Sequence, residues 1–172
     1  MHTALDDTDA APAKRCRVIV DTAWPLADPL ACHRFASRVF TGDVDECWIW
    51  TGGIEPDGGY GRFRPPHDAV IAAHRWSYIN HHGRTRWPII RHRCDIRICV
   101  NPHHLTAGTQ AANITDTVQR GAWTTTAHTG PEAWPNIAYL LRAAARQSDR
   151  ATINTLLARP RQLDLWQPVE GM

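Results

Sequence analysis

Short runs of apolar residues recur along the chain and switch between strand-like and helix-like spacing. Strand-like runs are predicted at 18–20, 47–51, 60–64 and 88–93, where aromatic and β-branched residues lie between turn formers. The turn-rich segment 52–59 separates the second run from the third, so we expect these two runs to form a β-hairpin. The pattern contains no internal repeat and no heptad array, and it predicts an α+β fold with short strands.

Five helices are predicted from the periodicity and from their capping residues. Asp28 followed by Pro29 begins the first, Gly83 ends the second, Thr109 caps the third and Ser148 caps the last. The predicted helices span residues 30–40, 69–82, 109–120, 135–146 and 149–158. The residues expected to pair the last two helices are Leu140, Leu141, Ile153, Leu156 and Leu157.

The chain of 172 residues is long enough for one domain with a hydrophobic core and short flanking segments. We expect a largely flexible tail at 1–27, a single functional domain at 28–122 and a helical extension at 123–172. The first fifteen residues contain no apolar run, so neither a secretory signal nor a membrane span is expected. A cytoplasmic protein is the resulting expectation.

Positive charge is concentrated in the middle of the chain. The net charge is only +2, yet residues 60–98 carry eight arginines against two acids, Asp68 and Asp95. The eight are Arg62, Arg64, Arg75, Arg84, Arg86, Arg91, Arg93 and Arg97. A cationic face of this kind favours a phosphate-rich partner, because the guanidinium fork matches phosphate oxygens and guanine edges. An ordinary solvated surface is the alternative.

Three potential metal ligands, Cys94, Cys99 and His104, follow one another at steps of five residues. In a reducing cytoplasm, clustered cysteines are more often metal ligands than disulfides, and a tetrahedral zinc site needs four ligands. Cys47 is the best candidate for the fourth, because its strand can pair beside the strand that leads into Cys94. The alternatives are His103, His74 and Cys32. The competing interpretation treats the cysteines as small buried apolar residues.

Two residues outside this ligand set are positioned for chemistry. His92 ends a predicted strand two residues before Cys94, where its imidazole can act as a general base near neutral pH. Asn113 lies in the first turn of the helix that Thr109 caps, so its amide oxygen can face back toward His92. An amide oxygen suits magnesium, which keeps several waters and needs few protein ligands. Alone, either residue would be an ordinary surface side chain.

The order of these motifs resembles the HNH or His-Me finger endonucleases, and within them the His-Cys box branch and its phage-encoded relatives. The similarity runs from about residue 34 to residue 121, about half of the chain. It is carried by residues 47–52, 59–63, 73–75, 92–105 and 108–113. The resemblance implies a ββα-metal core with a structural zinc loop and extra flanking helices, in the cytoplasm of a bacterial or phage-infected cell.

The same resemblance implies a role for each motif residue. His92 would be the general base, Asn113 the ligand of a catalytic Mg²⁺ or Mn²⁺, and Arg62 the contact to the scissile phosphate of double-stranded DNA. The implied structural zinc ligands are Cys47, Cys94, Cys99 and His104. The residues expected on DNA are Arg62, Arg64, Arg75, Arg91, Arg93 and Arg97. Hydrolysis would leave 5′-phosphate and 3′-hydroxyl ends, with His74 and Arg75 in supporting positions.

Two departures separate this chain from other members of the group. Arg91 stands where many HNH enzymes carry an aspartate or histidine on the metal, which favours the one-ligand His-Cys box scheme. A plain HNH assignment would use Asn101 and put His104 on the catalytic metal, leaving Cys94 and Cys99 without a role. No cysteine follows Cys99, so the second downstream zinc site of some His-Cys box enzymes is not expected.

A non-catalytic, zinc-stabilised DNA-binding module is the main alternative function, because the arginine-rich segment and the zinc loop would suffice for it. A zinc hydrolase acting on another substrate is less compatible, because four protein ligands leave no open position on the ion. The sequence leaves the oligomeric state open; a two-fold homodimer is the simplest arrangement if a chain with one active site cuts both strands. The C-terminal helices or residues 163–166 could provide its interface.

Overall fold

The computed structural model of the chain describes residues 23–119 and 134–158; the predicted strand at 18–20 and the segment 163–166 lie outside these ranges. Helix α1 (Pro29–Ala36) begins where Asp28 predicts, because the Asp28 carboxylate accepts hydrogen bonds from two backbone N–H groups of the first turn, both at 3.0 Å. The helix ends earlier than predicted, since the chain continues into a strand, β1 (Val39–Phe40).

Seven short strands form three small antiparallel sheets in the described part of the chain. The first sheet pairs β1 with β2 (Ile49–Trp50). The second contains β3 (Gly53–Ile54), β4 (Gly61–Phe63) and β5 (Ile71–Ala72), with β4 in the centre. The third pairs β6 (Ile89–His92) with β7 (Leu105–Gly108). The fold is therefore mixed α and β with small sheets, as the sequence predicts.

The predicted hairpin between 47–51 and 60–64 is wrong in its first strand, because β4 pairs with β3 whereas β2 pairs with β1. The physical reason is a turn directly after β2. The indole Nε1 of Trp50 donates to the carbonyl oxygen of Gly53 at 2.9 Å, which closes this turn so that a new strand starts there.

The predicted helix at 69–82 begins later than expected. Helix α2 spans Ala73–His82, and the two residues before it pair with β4 as strand β5. Residues 71–72 form a strand instead of a first helical turn, because the helix has no side-chain cap of its own and β4 has an unpaired edge. Gly83 ends the helix as predicted, with a positive φ of 89° and its N–H bonded to the carbonyl of Ile79.

Strands β6 and β7 are joined by residues 93–104, which we call the ligand loop, and β7 leads directly into helix α3 (Gln110–Gln119). The four-residue register pairs Ile89 with Gly108 and His92 with Leu105. The hydroxyl of Thr109 accepts from the backbone N–H of Ala112 at 3.1 Å, which confirms the predicted cap. A strand, a loop, a second strand and a helix thus lie in sequence order around His92.

Aromatic rings fill the core between α1, α2 and the first two sheets. Phe35 is fully buried and stacks on Trp76, with ring centroids 4.2 Å apart. Trp24 donates through Nε1 to the hydroxyl of Ser77 at 2.7 Å, and that hydroxyl donates to the carbonyl of Val100 at 2.6 Å. This buried relay ties α2 to the ligand loop, so the position of the loop depends on the core.

The described C-terminal helices, α4 (Trp134–Arg146) and α5 (Arg150–Leu157), pack on this same core. Leu141, Ile153 and Leu156 are buried as expected, whereas Leu140 is 49% exposed. The buried face of α4 therefore contains Leu141 but not Leu140, whereas the sequence predicts that both pair the two helices. Asp149, not Ser148, caps α5, because the Asp149 carboxylate accepts from the N–H of Thr152 at 3.0 Å. No helix among the described residues is long and apolar enough to cross a membrane.

Candidate functional site

Three thiols and one imidazole converge where the ligand loop meets the segment before β2. The Sγ atoms of Cys47, Cys94 and Cys99 and one ring nitrogen of His104 all lie within 4.8 Å of one another. His104 Nδ1 is 3.6 Å from Cys47 Sγ and 3.6 Å from Cys99 Sγ. With bonds of about 2.3 Å to sulfur and about 2.0 Å to nitrogen, a tetrahedral ion would separate these atoms by about 3.6 Å. The cluster could therefore hold a metal ion such as zinc.

The alternative fourth ligands lie elsewhere. Cys32 is buried in the hydrophobic core, with 3% of its surface exposed. His74 packs its ring against that of His92, and the exposed His103 has its ring centroid 5.0 Å from that of His81. Of the four candidates, Cys47 is the one that the structure brings to the cluster.

Backbone pairing holds the segment after Cys47 against the ligand loop. The N–H of Trp50 donates to the carbonyl of Ile98 at 2.9 Å, and the N–H of Val100 donates to the carbonyl of Trp48 at 2.8 Å. We expected Cys47 to pair beside β6, the strand that leads into Cys94, but the segment pairs inside the loop instead. The correction brings Cys47 closer to the middle of the loop, where Cys99 lies.

Asn101 fixes the other side of Cys47. Its amide Nδ2 donates to the carbonyls of Val44 at 2.7 Å and Glu46 at 2.8 Å, and its Oδ1 accepts from the N–H of His103 at 3.0 Å. The side chain is fully buried. Asn101 is thus committed to closing the loop, which argues against the catalytic role that a plain HNH assignment would give it.

Close packing of the donor atoms changes their proton affinities. Hydrogen bonds with the Cys47 and Cys99 thiols hold the pKa of the Cys94 thiol well below its ordinary value. Burial, followed by the neighbouring thiols, raises the pKa of Cys99 well above its ordinary value. A hydrogen bond with Cys94 raises the pKa of His104. The cluster therefore favours negative charge on one thiolate, as a cation site requires.

His92 ends β6 with its ring against the ligand loop. Its Nε2 donates to the backbone carbonyl oxygen of Cys99 at 3.0 Å, so a neutral ring has its lone pair on Nδ1. Burial lowers the pKa of His92, and the neighbouring Cys94 and the bond to Cys99 partly oppose this. The ring is oriented by the same loop that carries three of the four candidate metal ligands.

Two further rings pack beside His92. His74, in the first turn of α2, has its ring centroid 4.8 Å from that of His92, and Tyr60 lies 5.4 Å from His74 and 6.3 Å from His92. Burial, and then the charge of His92, keep the pKa of His74 well below its ordinary value. The predicted supporting position of His74 thus corresponds to direct packing on His92, and Tyr60 joins it from outside the predicted set.

Asn113 and Arg62 lie on other elements. Asn113 is half-buried in the first turn of α3, where its backbone N–H donates to the carbonyl of Thr109 at 3.0 Å. Arg62 is exposed in the centre of β4, because its neighbours Gly61 and Phe63 face the core. We call Arg62, His92 and Asn113 the candidate catalytic residues. They come from the second sheet, the third sheet and a helix.

The arginines expected on DNA differ in how far they are already engaged. Those with exposed side chains are Arg62, Arg64 and Arg93. Arg75 donates to the carbonyl of Pro88 at 2.6 Å, and Arg97 donates to the carbonyl of Gly58 at 2.9 Å while its guanidinium lies over the Tyr60 ring. The three exposed arginines are therefore more available to contact phosphate groups than Arg75 and Arg97.

Arg91 departs from the expectation. Its guanidinium forms an ion pair with Asp116 on α3 and donates to the carbonyl of Ala112 at 3.3 Å, and only 15% of its side chain is exposed. We therefore remove Arg91 from the residues expected on DNA. Sequence reasoning missed Asp116, for which the available signal was its spacing of three residues from Asn113, which puts both on one helix face.

Two phage proteins share sequence with part of the chain. Protein 7.7 of Escherichia phage T7 is 35% identical over 79 residues, which are 45% of this chain and 59% of that protein. Protein 2.8 of the same phage is 36% identical over 76 residues, 44% of this chain and 51% of that protein. The chain thus spans little more than half the length of these curated relatives. Their phage origin agrees with the expected phage-encoded relatives, although their names describe no activity.

No family model matches the chain, and no solved structure matches it.

Proposed function

We propose that the chain is a metal-dependent DNA endonuclease in which β6, β7 and α3 form a ββα-metal core. The observation that carries the proposal is the hydrogen bond between His92 Nε2 and the carbonyl of Cys99, 3.0 Å long. It joins the candidate base to the loop that carries three of the four clustered metal ligands. An ordinary surface histidine would not be oriented by a structural metal site.

His92 would act as the general base through Nδ1. Since the carbonyl of Cys99 can only accept, Nε2 carries the proton, and a neutral ring takes up a second proton at Nδ1. This is the atom that would receive the proton of the attacking water. The carbonyl would then stabilise the imidazolium that forms, as acceptors bonded to the other ring nitrogen do for other catalytic histidines.

Asn113 would hold the catalytic Mg²⁺ or Mn²⁺. Its half-buried amide on α3 fits such an ion, which prefers oxygen ligands and keeps most of its waters. When bound, the ion would supply positive charge to the scissile phosphate. Arg62, exposed on β4, would add positive charge beside the scissile phosphate as charge develops there.

The Cys47 cluster would have a structural role. All four of its candidate ligands are protein groups, which leaves no open position on a tetrahedral ion for water or substrate. This full set of protein ligands disfavours a zinc hydrolase, and hydrolysis would instead use the ion held by Asn113.

Cleavage of supercoiled plasmid by the full zinc-loaded chain tests the proposal. We expect nicked or linear DNA with Mg²⁺ or Mn²⁺, and DNA binding without cleavage when Ca²⁺ replaces them. Asn113→Ala should abolish cleavage at any Mg²⁺ concentration tested, whereas the matched Asn113→Asp variant keeps an oxygen ligand and should retain cleavage. DNA binding with no cleavage in either active metal would support the non-catalytic DNA-binding module instead.

A further inference from the structure

The strand that carries His92 and the helix that carries Asn113 are tied together by one side chain. Arg91, directly before His92, extends from β6 to α3, where its guanidinium contacts the Asp116 carboxylate and the Ala112 carbonyl. Ala112 directly precedes Asn113 along the helix, and Asp116 lies one turn further on. The two contacts therefore hold α3 on both sides of Asn113.

The Arg91 side chain follows a fixed path across β7. A methyl group added at Gly108 would lie 2.8 Å from Arg91 Nε, so the glycine leaves the space through which the side chain reaches the helix. Its Nε is buried and has no hydrogen-bond partner among the described residues. The guanidinium is thus confined between strand and helix, with its charge matched by Asp116.

We propose that Arg91 and Asp116 form a positioning pair that sets the separation and angle between the base on β6 and the metal ligand on α3. The inference rests on the proposed function. In this proposal neither residue touches the substrate, and the Asp116 carboxylate acts through its contact with Arg91. A pair of this kind acts on kcat and on the Mg²⁺ requirement, and leaves DNA affinity unchanged.

The test compares Arg91→Met, Asp116→Asn and the double variant in the full chain. Each single variant should lower kcat by about ten- to a hundredfold and raise the half-saturating Mg²⁺ concentration. The double variant should be no worse than either single one, because both remove the same contact. The Kd for DNA in Ca²⁺ and the zinc content should stay at wild-type values, which separates positioning from loss of folding.

Two further variants sharpen the comparison. Arg91→Lys keeps the charge toward Asp116 but lacks the planar fork, so it should recover part of the lost kcat. Arg38→Met is the matched control, because the Arg38 side chain is exposed and lies outside the arginine-rich segment 60–98. It should leave kcat and the Mg²⁺ dependence unchanged.

Three results would overturn the inference. If Arg91→Met weakens DNA binding at unchanged kcat, Arg91 is a phosphate contact after all. If Asp116→Asn changes the Mg²⁺ dependence of cleavage but Arg91→Met does not, Asp116 is a metal ligand. If both variants cleave like wild type, the pair has no role in catalysis and only this inference fails. A wild-type chain that does not cleave with Mg²⁺ or Mn²⁺ overturns the proposed function, and the positioning role with it.

Discussion

The ligand loop and the candidate catalytic residues are built differently. Around the loop, four side chains converge on one point, and buried hydrogen bonds from Asn101 close the structure around them. Among the candidate catalytic residues, Arg62 and Asn113 come from separate elements and are half-buried or exposed. The clustered side chains can be held by their own contacts, whereas the proposed catalytic residues depend on how their separate elements pack.

The largest effect should come from breaking the loop itself. Cys99→Ser removes a fully buried ligand, and the loss of a structural zinc is worth on the order of 10 kcal/mol, similar to the whole stability of a small domain. We expect zinc content to fall to near zero and the Tm to drop strongly. Zinc stoichiometry and thermal unfolding with and without chelator measure this.

Cys32→Ser is the matched control, because Cys32 is equally buried but lies outside the cluster. It should keep its zinc at a modest loss of stability. If Cys99→Ser also keeps both zinc and full stability in chelator, the cluster is not a metal site.

The second effect should appear in cleavage and not in stability. His92→Ala removes the proposed base but none of the clustered ligands, so we expect cleavage to fall by about 10² to 10⁴-fold while zinc content is retained. His103→Ala, which replaces an exposed histidine of the same loop, should cleave normally. Single-turnover cleavage rates measure both, and normal cutting by His92→Ala would remove His92 from the mechanism.

Three members of the Cys/His cluster and the caps at Asp28 and Thr109 could be predicted from the sequence because they depend on local spacing, whereas the last helix is capped by Asp149 and not by the predicted Ser148. Cys94, Cys99 and His104 lie within eleven residues, and Thr109 bonds a residue three positions away. Their geometry is limited by the short chain between them. Tertiary packing has little freedom to change it.

Contacts between distant elements could not be predicted in this way. The partner of β2 is chosen by a turn that the Trp50 side chain closes, and β5 replaces the start of a helix because β4 has a free edge. The Arg91–Asp116 pair joins residues 25 positions apart. From the sequence alone, both charged side chains are expected on the solvent-exposed surface. Periodicity predicts elements, and packing selects their partners.

A third and smaller effect should come from removing the Asn101 hydrogen bonds beside Cys47. Asn101→Ala would leave the carbonyls of Val44 and Glu46 without their shared donor, at about 0.5–1.5 kcal/mol for each hydrogen bond lost. We expect a lower free energy of unfolding and faster zinc loss to chelator, with zinc still bound at equilibrium. Denaturant unfolding and the rate of zinc transfer to a chelating dye measure the two effects.

Asn80→Ala is the control for this change. Asn80 also donates to a backbone carbonyl, at 2.9 Å, but within helix α2 and away from the cluster. It should change the rate of zinc loss little. Equal rates for the two variants would show that Asn101 does not hold Cys47.

The smallest effect should come from the exposed ion pair between Arg150 on α5 and Glu46, the residue directly before Cys47. Arg150 NH1 contacts both carboxylate oxygens of Glu46, at 2.8 and 3.0 Å, but the two side chains are 49% and 42% exposed. Solvent and salt screen such a pair, so Arg150→Met should change the Tm little at low salt and less at high salt.

The Tm difference between wild type and Arg150→Met should change with pH in a definite direction. A hydrogen bond from the Asp43 N–H, and then the contact with Arg150, lower the pKa of Glu46 below its ordinary value. The ionised carboxylate therefore adds stability above that ordinary pKa, and the addition is lost as the pH falls through the lowered value. The Tm of Arg150→Met should thus approach that of wild type in acid. A Tm loss as large as that of Asn101→Ala would mean that α5 helps to hold the metal cluster, and that the ligand loop is not closed by its own residues alone.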